Sequence, residues 1–389
     1  MRPLGPYAAR QLFRQRSGIV TSLIGVAAAI VLIFMEIGFK QGLMNSATRL
    51  HAALAGQVVL VSRYYQTLDR ATWIPGRLLT AARADPQVAS VDPLFAANLP
   101  VRDLASGTVR LIAAFAFDPA RPVLDLPGLS ANLPMLEVPM RALFDRRSRP
   151  VYGPIAALLD KQKVVRMSLA LPGRTLQPEI DLVGTIALGP SIASDGAVVM
   201  SAETLSQLMG IPLDRPNFGV IRIAPGADPA AVARRLQRRL GPEVRVLTKP
   251  QFIAAEQDAW ARLTPIGSVL RLGVLVGGAI GLAFIYQILQ VNIRGNLSSY
   301  AVLKSMGYPG RFFVALVAEI AAIVGLASFV VSLPVVWLLY WGTASLTGLD
   351  MHLDPLTVLY VLAVVLIISL GSALLAVRKL RAADPVSLF

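Results

Sequence analysis

The sequence predicts a membrane α-helical protein with four transmembrane helices and an inserted extracytoplasmic α+β domain on helical stalks. Composition is the first observation behind this class: 55% of the 389 residues are hydrophobic and 15% are charged, and the mean hydropathy is +0.60. Soluble chains usually carry about 25% charged residues. The second observation is that four stretches are free of charge over roughly the 20 residues that span a bilayer: 17–35, 272–293, 320–349 and 355–377.

These stretches divide the chain into membrane and aqueous segments. Transmembrane helices are expected at 17–36, 269–293, 312–341 and 355–377. A cytoplasmic N-terminal segment is expected at 1–16, a stalk helix at 37–56, an α+β domain outside the cytoplasm at 57–247 and a second stalk helix at 248–268. A cytoplasmic loop is expected at 294–311, an outer loop at 342–354 and a cytoplasmic tail at 378–389.

Basic residues predict the orientation. Lys and Arg are in excess before the first helix, between the second and third, and after the fourth, whereas the loop between the third and fourth carries only Asp350 and Asp354. By the positive-inside rule both termini are cytoplasmic, and residues from about 46 to 265 are outside the cytoplasm. The net charge of +14 is therefore mainly a signal of topology.

A cleaved secretory signal is the alternative interpretation of the first apolar run. Ala53-Leu54-Ala55 offers the small residues of a cleavage site. The run is longer than the usual signal core of about 7 to 15 residues, and Glu36 and Lys40 separate it from that site. An uncleaved anchor is favoured.

Two stalks are predicted to continue from the membrane helices. No proline interrupts the chain after the first span, which predicts one helix over 17–55, about 58 Å long, ending at Gly56. This is about twice the hydrocarbon thickness, so its outer half is expected to stand in water. The second stalk is expected to begin at Thr248 as N-cap, with Pro250 in its first turn and a kink at Pro265.

Strand and helix patterns alternate between the stalks. Runs rich in β-branched and aromatic residues predict strands at 57–62, 110–117, 163–169, 179–188, 197–200, 218–223 and 244–247. Helical patterns occur at 76–84, 201–210 and 228–241, the last in a β-α-β unit. The proline-rich region 126–152 is interpreted as an irregular insertion or loop.

Missing residues and motifs exclude several classes of function. The chain has no cysteine, and its two histidines, His51 and His352, are far apart, which disfavours a metal cluster or a histidine triad. No phosphate-binding loop, nucleophile elbow or H-E-x-x-H sequence occurs. We therefore expect no catalytic residue, metal or cofactor on this chain, and a membrane-bound hydrolase has no supporting residues.

The predicted outer domain is mildly basic. Residues 46–265 include 25 basic and 18 acidic residues, with clusters at 145–149 and 234–239. A solvated helix face is the favoured interpretation of the second cluster, and binding to anionic lipid headgroups is the alternative. No nucleic-acid partner is expected for a domain outside the cytoplasm.

Small residues form a ridge on the second transmembrane helix. Gly273, Gly277 and Gly281 recur every four residues, with Gly278 beside them, and such spacing lets another helix approach closely. The partner is either a helix of the same chain or a second copy of the protein. The subunit interface is slightly favoured, because the two stalks make the first and second helices a natural pair for a symmetric partner.

Three charged residues lie in or near the predicted spans. Glu36 and Lys40 are four residues apart, which favours an interfacial ion pair, and the alternative is that Glu36 lines an opening on a substrate path. Glu319 lies ~12 Å beyond Arg311, at a depth where an ionised carboxylate is costly. Pairing with Arg311 or protonation for structural reasons is favoured over a transport role.

The loop between the second and third spans has the most specific pattern. It predicts a short amphipathic helix that ends at Gly307, where Tyr308-Pro309 prevents continuation. A helix lying flat beneath two membrane helices suits a groove on a cytoplasmic partner, and an interfacial anchor is the alternative. The residues assigned to this contact are Leu297, Tyr300, Leu303, Lys304, Met306, Gly307 and Tyr308.

Several segments together resemble the DevC-type permeases, a branch of the MacB/FtsX class of ABC exporters. The opening segment, LGPYAARQLFRQRSGIVTSLIGVAAAIVLIFMEIGFKQGLMNSA, is followed by LHAALAGQVVLVS. The loop SYAVLKSMGYP resembles the coupling segment of that family, and RKLRAADPVSLF resembles the closing Ala-Asp-Pro tail of the class. The resemblance covers nearly the whole chain, while the subfamily rests on the first 62 residues and the loop.

The resemblance implies a type VII, mechanotransmission mechanism. Two permease chains associate with two separate ATPase subunits, which bind ATP and Mg²⁺, and nucleotide-driven motion passes through the coupling segment and stalks to the periplasmic domains. A periplasmic membrane-fusion adaptor, an outer-membrane channel and an amphiphilic cargo such as a glycolipid are implied partners. No fused ATPase is present, so a partner chain is required. The alternative is an FtsX-like signalling or scaffold protein that regulates an extracytoplasmic partner and moves no cargo.

Overall fold

The protein is described by a computed structural model over residues 16–70, 72–104, 106–173, 175–296, 302 and 305–382. Within these residues the α-helices are α1 (Arg16–Ala47), α2 (Arg49–Ala53), α3 (Gly76–Arg83), α4 (Leu129–Asn132), α5 (Ile155–Lys161), α6 (Ala202–Met209), α7 (Pro229–Leu240), α8 (Lys249–Leu263), α9 (Ile266–Gly295), α10 (Gly310–Thr347) and α11 (Pro355–Ala382). The strands are β1 (Val58–Ser62), β2 (Val88–Arg102), β3 (Val109–Phe117), β4 (Arg141–Asp145), β5 (Val165–Ser168), β6 (Glu179–Ile186), β7 (Ala197–Ser201), β8 (Phe218–Ile223) and β9 (Val244–Thr248).

The membrane unit consists of the described residues up to Gly42 and from Pro265 onward. Its helices α1, α9, α10 and α11 each contain a stretch long and apolar enough to cross a membrane. The prediction of four such helices is therefore confirmed. Helix α10 is 38 residues long, which is longer than the span expected at 312–341. It contains Pro334 in its interior.

Polar side chains and glycines join the helices of the membrane unit. The Tyr340 hydroxyl donates to the Phe34 carbonyl oxygen at 2.5 Å, and the Ser372 hydroxyl donates to the Leu282 carbonyl oxygen at 3.0 Å. Gly38 makes room for the Tyr340 ring, which a Cβ atom would overlap. Small residues and interhelical hydrogen bonds of this kind hold apolar helices together in a bilayer.

The prediction of one continuous helix from 17 to 55 is wrong. Helix α1 ends at Ala47, and the short helix α2 follows. Between them Thr48 has φ −109° and ψ 10°, and its hydroxyl donates to the Met44 carbonyl oxygen at 3.1 Å. A side-chain bond to the preceding turn competes with the helical backbone, which accounts for the break at a threonine.

The second stalk begins as the sequence predicts and ends earlier. The Thr248 hydroxyl accepts from the Gln251 amide and the Gln251 side chain accepts from the Thr248 amide, a capping box at the start of α8. Helix α8 ends at Leu263. The predicted kink at Pro265 is instead a break between two helices. Thr264 is extended, and Pro265 occupies the N-cap position of α9.

The outer unit, Leu43–Thr264, is built on a nine-stranded sheet with the order β5-β6-β4-β7-β3-β2-β8-β1-β9. Strands β8 and β9 both pair antiparallel with β1, so the predicted β-α-β unit has β1 between its two strands. Strand β8 likewise lies between β1 and β2. The order β2-β8-β1-β9, with α3 and α7 as crossovers, is the split β-α-β arrangement of ferredoxin-like folds.

The strands β2, β8, β1 and β9 form a ferredoxin-like half of the outer unit. The segment from β3 to β7 is inserted in the chain between β2 and β8. It includes β4, whose residues pair in parallel with β6 and antiparallel with β7. The interpretation of 126–152 as irregular is therefore wrong for 141–145, which forms an interior strand. The patterns predicted no strand at 88–102 either, where the structure has the 15-residue β2.

Strand β2 connects the two halves of the outer unit. Its residues 88–94 pair with β8, and 95–102 pair with β3. Pro93 lies opposite Gly219, and Pro100 lies opposite Leu111. Two prolines and a change of pairing partner along one strand explain why local alternation did not reveal it.

Candidate functional site

The loop before α10 is described only in part. Leu297, Tyr300, Leu303 and Lys304 lie outside the described residues. Gly307 has φ +85°, which favours glycine, and the Met306 amide donates to the Val302 carbonyl oxygen at 3.0 Å. Gly307 thus has the left-handed conformation typical of a residue that follows a helix end, while most of the helix predicted before it lies outside the described residues.

The described side chains of this loop expose apolar surface. Val302 is 58% exposed, Met306 is 69% exposed and Tyr308 is 42% exposed. The Tyr308 ring lies 4.7 Å from the Phe312 ring at the start of α10, which fixes one end of the loop to a membrane helix. An exposed group of large apolar side chains beside a rigid helix end suits a contact with another protein. The ATPase contact itself stays a prediction.

The glycine ridge packs against α1 of the same chain. A Cβ atom on Gly273 would overlap the Glu36 carboxyl group, and one on Gly277 would lie 2.9 Å from Ile33 Cγ1. Gly281 is looser, with Ala29 Cβ 3.6 Å from the same position. The structure thus gives the ridge an intramolecular partner, and its use between two subunits stays a prediction.

The charged residues of the spans are not paired as the sequence suggested. Glu36 is half-buried beside Gly273, Lys40 is exposed and Glu319 is half-buried. Among the described residues, the ion pairs include none between Glu36 and Lys40 or between Arg311 and Glu319. Neither ion pair is therefore seen among these residues, and protonation of Glu319 or a place for Glu36 or Glu319 on a substrate path stays a prediction.

A buried polar network, which the sequence patterns did not reveal, joins α2 to α8. Glu256 and His51 have no exposed surface, and Tyr65 is 4% exposed. The Tyr65 hydroxyl donates to Glu256 Oε2 at 2.6 Å, and His51 Nε2 lies 3.1 Å from the same hydroxyl. The Leu68 amide and the Trp260 indole both donate to Glu256 Oε1 at 3.0 Å.

Burial and hydrogen bonding set the ionisation of this network. Burial alone would raise the pKa of Glu256, but bonds and charge from His51, with bonds from Tyr65 and the Leu68 amide, lower the pKa below its ordinary value of 4.5. Burial, and then the Glu256 charge, raise the pKa of Tyr65 well above its ordinary value. The network therefore holds a buried carboxylate and a neutral phenol, which suits a fixed joint better than a catalytic pair.

A cavity of about 420 Å³ lies in the outer unit, beside the strands β2, β3 and β7. Its lining is mainly apolar, with Arg49 and Asp69 as the charged residues among those described. The residues that line it also include Leu50, Leu68, Trp73, Ala96, Asn98, Ala113, Phe115, Leu188, Ser191, Ala197, Met209 and Ile211. No local pattern predicted this site, because its residues come from segments far apart in the chain.

Among the described residues, no group of three or more His, Cys, Asp or Glu side chains could hold a metal ion. The Tyr65 hydroxyl is bonded to Glu256 and lies beside His51, but these three side chains are buried and offer no open surface to a substrate. The arrangement therefore suits binding and mechanical connection.

Comparison with known proteins relates the membrane unit to one family. Residues 272–385 match the family described as FtsX-like permease C-terminal. No curated protein sequence matches the chain.

Solved structures also match parts of the chain. The periplasmic region of MacB from Actinobacillus actinomycetemcomitans is 7% identical, with a TM-score of 0.33, over 52% of this chain and 93% of that one. The extracellular domain of the noncanonic ABC-type transporter YknZ from Gram-positive bacteria is 8% identical, with a TM-score of 0.34, over 49% of this chain and 99% of that one. A domain of a putative permease protein from Porphyromonas gingivalis is 14% identical, with a TM-score of 0.31, over 49% and 88%.

Proposed function

We propose that the chain is the permease subunit of an ABC exporter of the MacB/FtsX class, of the DevC type. The observation that carries the proposal is the match of residues 272–385 to the FtsX-like permease C-terminal family. The four apolar helices and the large outer unit inserted between the first and second of them support it. The membrane is the bacterial inner membrane, with both termini in the cytoplasm and the outer unit in the periplasm.

ATP hydrolysis takes place on a separate ATPase subunit that docks on the loop around Gly307. The exposed side chains of Val302, Met306 and Tyr308 support this role, because a partner that covers them removes apolar surface from water. The contact between Tyr308 and Phe312 gives the loop a direct connection to α10. Motion of the ATPase would therefore reach a membrane helix through one rigid contact.

Two features support a mechanical relay to the outer unit. Helix α1 continues past Gly42, where the membrane unit ends in this part of the chain, to Ala47. Within the outer unit, the His51, Tyr65 and Glu256 network ties α2 to α8, so the two segments that lead to the membrane helices are joined to each other. A second copy of the chain, a periplasmic adaptor and an outer-membrane channel complete the proposed assembly, which moves an amphiphilic or hydrophobic cargo.

A glycine substitution in the coupling loop tests this function. Gly307→Ala forces a residue with a Cβ atom into φ +85°, although the Cβ meets no neighbour within 4 Å. The altered helix end should lower the ATPase activity of the reconstituted complex several-fold, because the strain of about 1–2 kcal/mol shifts the docking surface. Stimulation of the partner ATPase by the chain in nanodiscs is the measurement.

Gly342→Ala is the matched control. Its Cβ also meets nothing within 4 Å, but Gly342 lies inside α10 at ordinary helical angles, so stimulation should stay unchanged. Equal activity of both variants, or a wild-type chain that neither binds nor stimulates an ABC ATPase, would exclude the coupling role.

An FtsX-like regulatory protein is the second candidate, and the same family match supports it. This protein would use the ATPase to move the outer unit without transferring cargo. The two candidates differ in whether the outer unit binds an amphiphile and whether adaptor binding depends on ATP. If Gly307→Ala lowers ATPase stimulation and the outer unit binds no amphiphile, the regulatory function is favoured.

A further inference from the structure

The floor of the cavity in the outer unit consists of small side chains on adjacent strands. Asn98, Ala113 and Ala197 lie opposite one another on β2, β3 and β7. In the next row of the same face, Ala96 lies opposite Phe115. Larger side chains in place of Ala96, Ala113 and Ala197 would occupy the space above the sheet, so these alanines leave room for the cavity beside Phe115.

Large apolar side chains form part of the walls and rim of the cavity. Leu50, Leu68 and Leu188 line the walls, from three segments that are far apart in the sequence. At the rim, Trp73 is 52% exposed and Met209 is 37% exposed. Large apolar side chains exposed around a concave site are typical of sites that bind an apolar group.

Arg49 provides a positive charge in the wall. Its guanidinium Nη1 donates to the Pro190 carbonyl oxygen at 2.8 Å, and the group lies against Gly189, where φ is +95° and a Cβ atom would overlap it. Asp145 holds the same segment in place, because its carboxylate accepts from the Leu188 amide at 3.0 Å and the Gly189 amide at 2.8 Å.

The negative charge in the lining is in a different environment. Asp69 is exposed, so solvent and salt screen it, whereas Arg49 is half-buried and is screened less. The half-buried charge of the lining is therefore positive, and the buried Asp145 carboxylate, which interacts with the Arg49 charge, offsets part of it.

We propose that this cavity binds a single-chain amphiphile with an anionic headgroup, with the chain over the alanine floor and the headgroup at Arg49. The cavity volume of about 420 Å³ lies within the range of small-molecule sites, about 300–1,000 Å³. Methylene groups of the chain leave water as they cover Ala113 and Phe115, and the carboxylate or phosphate receives a charge-assisted hydrogen bond from the guanidinium. The further claim that this amphiphile is the exported cargo rests on the proposed function. Binding itself can be measured without an ATPase.

The absence of native cysteine makes a direct test possible. Ala113→Cys places a single thiol on the cavity floor of the full-length chain in nanodiscs, and its rate of alkylation by a water-soluble maleimide is measured with decanoate, decanol or decyltrimethylammonium. At decanoate concentrations tenfold above the dissociation constant, the rate should fall about tenfold, because only the unoccupied fraction reacts. Decanol should protect less, and the cation should not protect.

Two further cysteine variants control for the reporter. Asn98→Cys lies in the same row of the sheet at an exposed position, and it should show the same protection by decanoate. Ala131→Cys lies on α4, is exposed and is outside the cavity lining, so its alkylation rate should not change.

The charge is tested by Arg49→Gln in the Ala113→Cys background. Decanoate should then protect no better than decanol, and Arg49→Lys should restore part of the difference. A ligand could enter the cavity from the bilayer or from water. Nanodiscs that contain lysophosphatidylglycerol, with no decanoate added, test entry from the bilayer, and dissolved decanoate tests entry from water. Protection in either experiment supports the proposal.

Two results would overturn the proposal: no protection at either thiol by decanoate or by lysophosphatidylglycerol, or equal protection by decanoate and decyltrimethylammonium. Gly307→Ala should leave protection unchanged. A failure of binding is therefore distinguishable from a failure of ATPase coupling.

Discussion

Glu256 shows how one buried residue connects distant parts of the outer unit. Its two carboxylate oxygens accept from Tyr65, the Leu68 amide and Trp260, and His51 Nε2 lies 3.5 Å from Oε2. A buried charge is tolerated when its oxygens are satisfied in this way, and removal of one partner leaves the rest uncompensated. The network therefore makes the attachment of α2 to α8 sensitive to single substitutions.

The lowered pKa of Glu256 predicts the pH dependence of this stabilisation. The group binds its proton less readily in the folded state than in the unfolded state, so its contribution is present above the ordinary pKa of 4.5 and is lost as the pH falls through the lower folded pKa. Glu256→Gln should reduce the free energy of unfolding at pH 7 by about 1–3 kcal/mol and should reduce the loss of stability on acidification.

Pulse proteolysis of the full-length chain at pH 7 and at pH 4 measures both effects. Asp85→Asn is a control of the same kind, because a hydrogen bond from Arg235 lowers the pKa of Asp85 at a separate place. If the stability of the wild-type protein and that of Glu256→Gln depended on pH in the same way, this carboxylate would contribute nothing to acid sensitivity.

At the scale of elements, the packing of α9 on α1 depends on single glycines. At Gly277 a Cβ atom would meet Ile33 Cγ1 at 2.9 Å, whereas at the neighbouring Gly278 the nearest atom is Ile368 Cδ1 at 3.7 Å. Gly277→Ala should destabilise the membrane unit by about 1–3 kcal/mol through overpacking. Gly278→Ala should leave it unchanged or more stable, because alanine favours the helix by roughly 0.5–1 kcal/mol.

Thermal unfolding of the two variants in the same detergent measures this difference. Equal stability would show that the α1 contact is not tight. A Gly277→Ala variant that keeps its thermal stability but loses intersubunit crosslinks would instead place the ridge between two copies.

Elements with a strong local pattern were predicted from the sequence, and those that depend on distant partners were not. Four apolar stretches and the capping box at Thr248 are local signals, and both correspond to the structure. Strand β2 contains two prolines, and β4 is five residues long inside a proline-rich region, so neither shows a clear alternation. They are strands because β3, β6, β7 and β8 pair with them, and pairing is not visible in a local window.

The same reason explains which parts of the candidate site were missed. His51 and Glu256 are 205 positions apart, and the strands under the cavity are brought together by the order of the sheet. A lone histidine and scattered alanines carry no pattern of their own. The helix end at Gly307 was predictable, because a glycine followed by Tyr308-Pro309 signals it locally.

At the scale of the whole molecule, each proposed task belongs to one part of the chain. In the proposed function the membrane unit anchors the protein and receives motion at the loop around Gly307, and the amphiphile is proposed to bind in the cavity of the outer unit. The His51, Tyr65 and Glu256 network belongs to the outer unit and connects the two segments that enter it. The central claim is that the loop contacts an ATPase in the cytoplasm while the outer unit lies on the opposite side of the membrane.

A single-cysteine crosslinking experiment tests this claim most directly. In the cysteine-free chain, Met306→Cys in the loop and Ala131→Cys in the outer unit are each expressed in cells and treated with a membrane-impermeant maleimide and with a short crosslinker. The account predicts that Met306→Cys resists the maleimide in intact cells and crosslinks to an ABC ATPase, whereas Ala131→Cys is labelled and gives no ATPase product. Labelling of Met306→Cys from outside, or crosslinked products without an ATPase, would contradict the account.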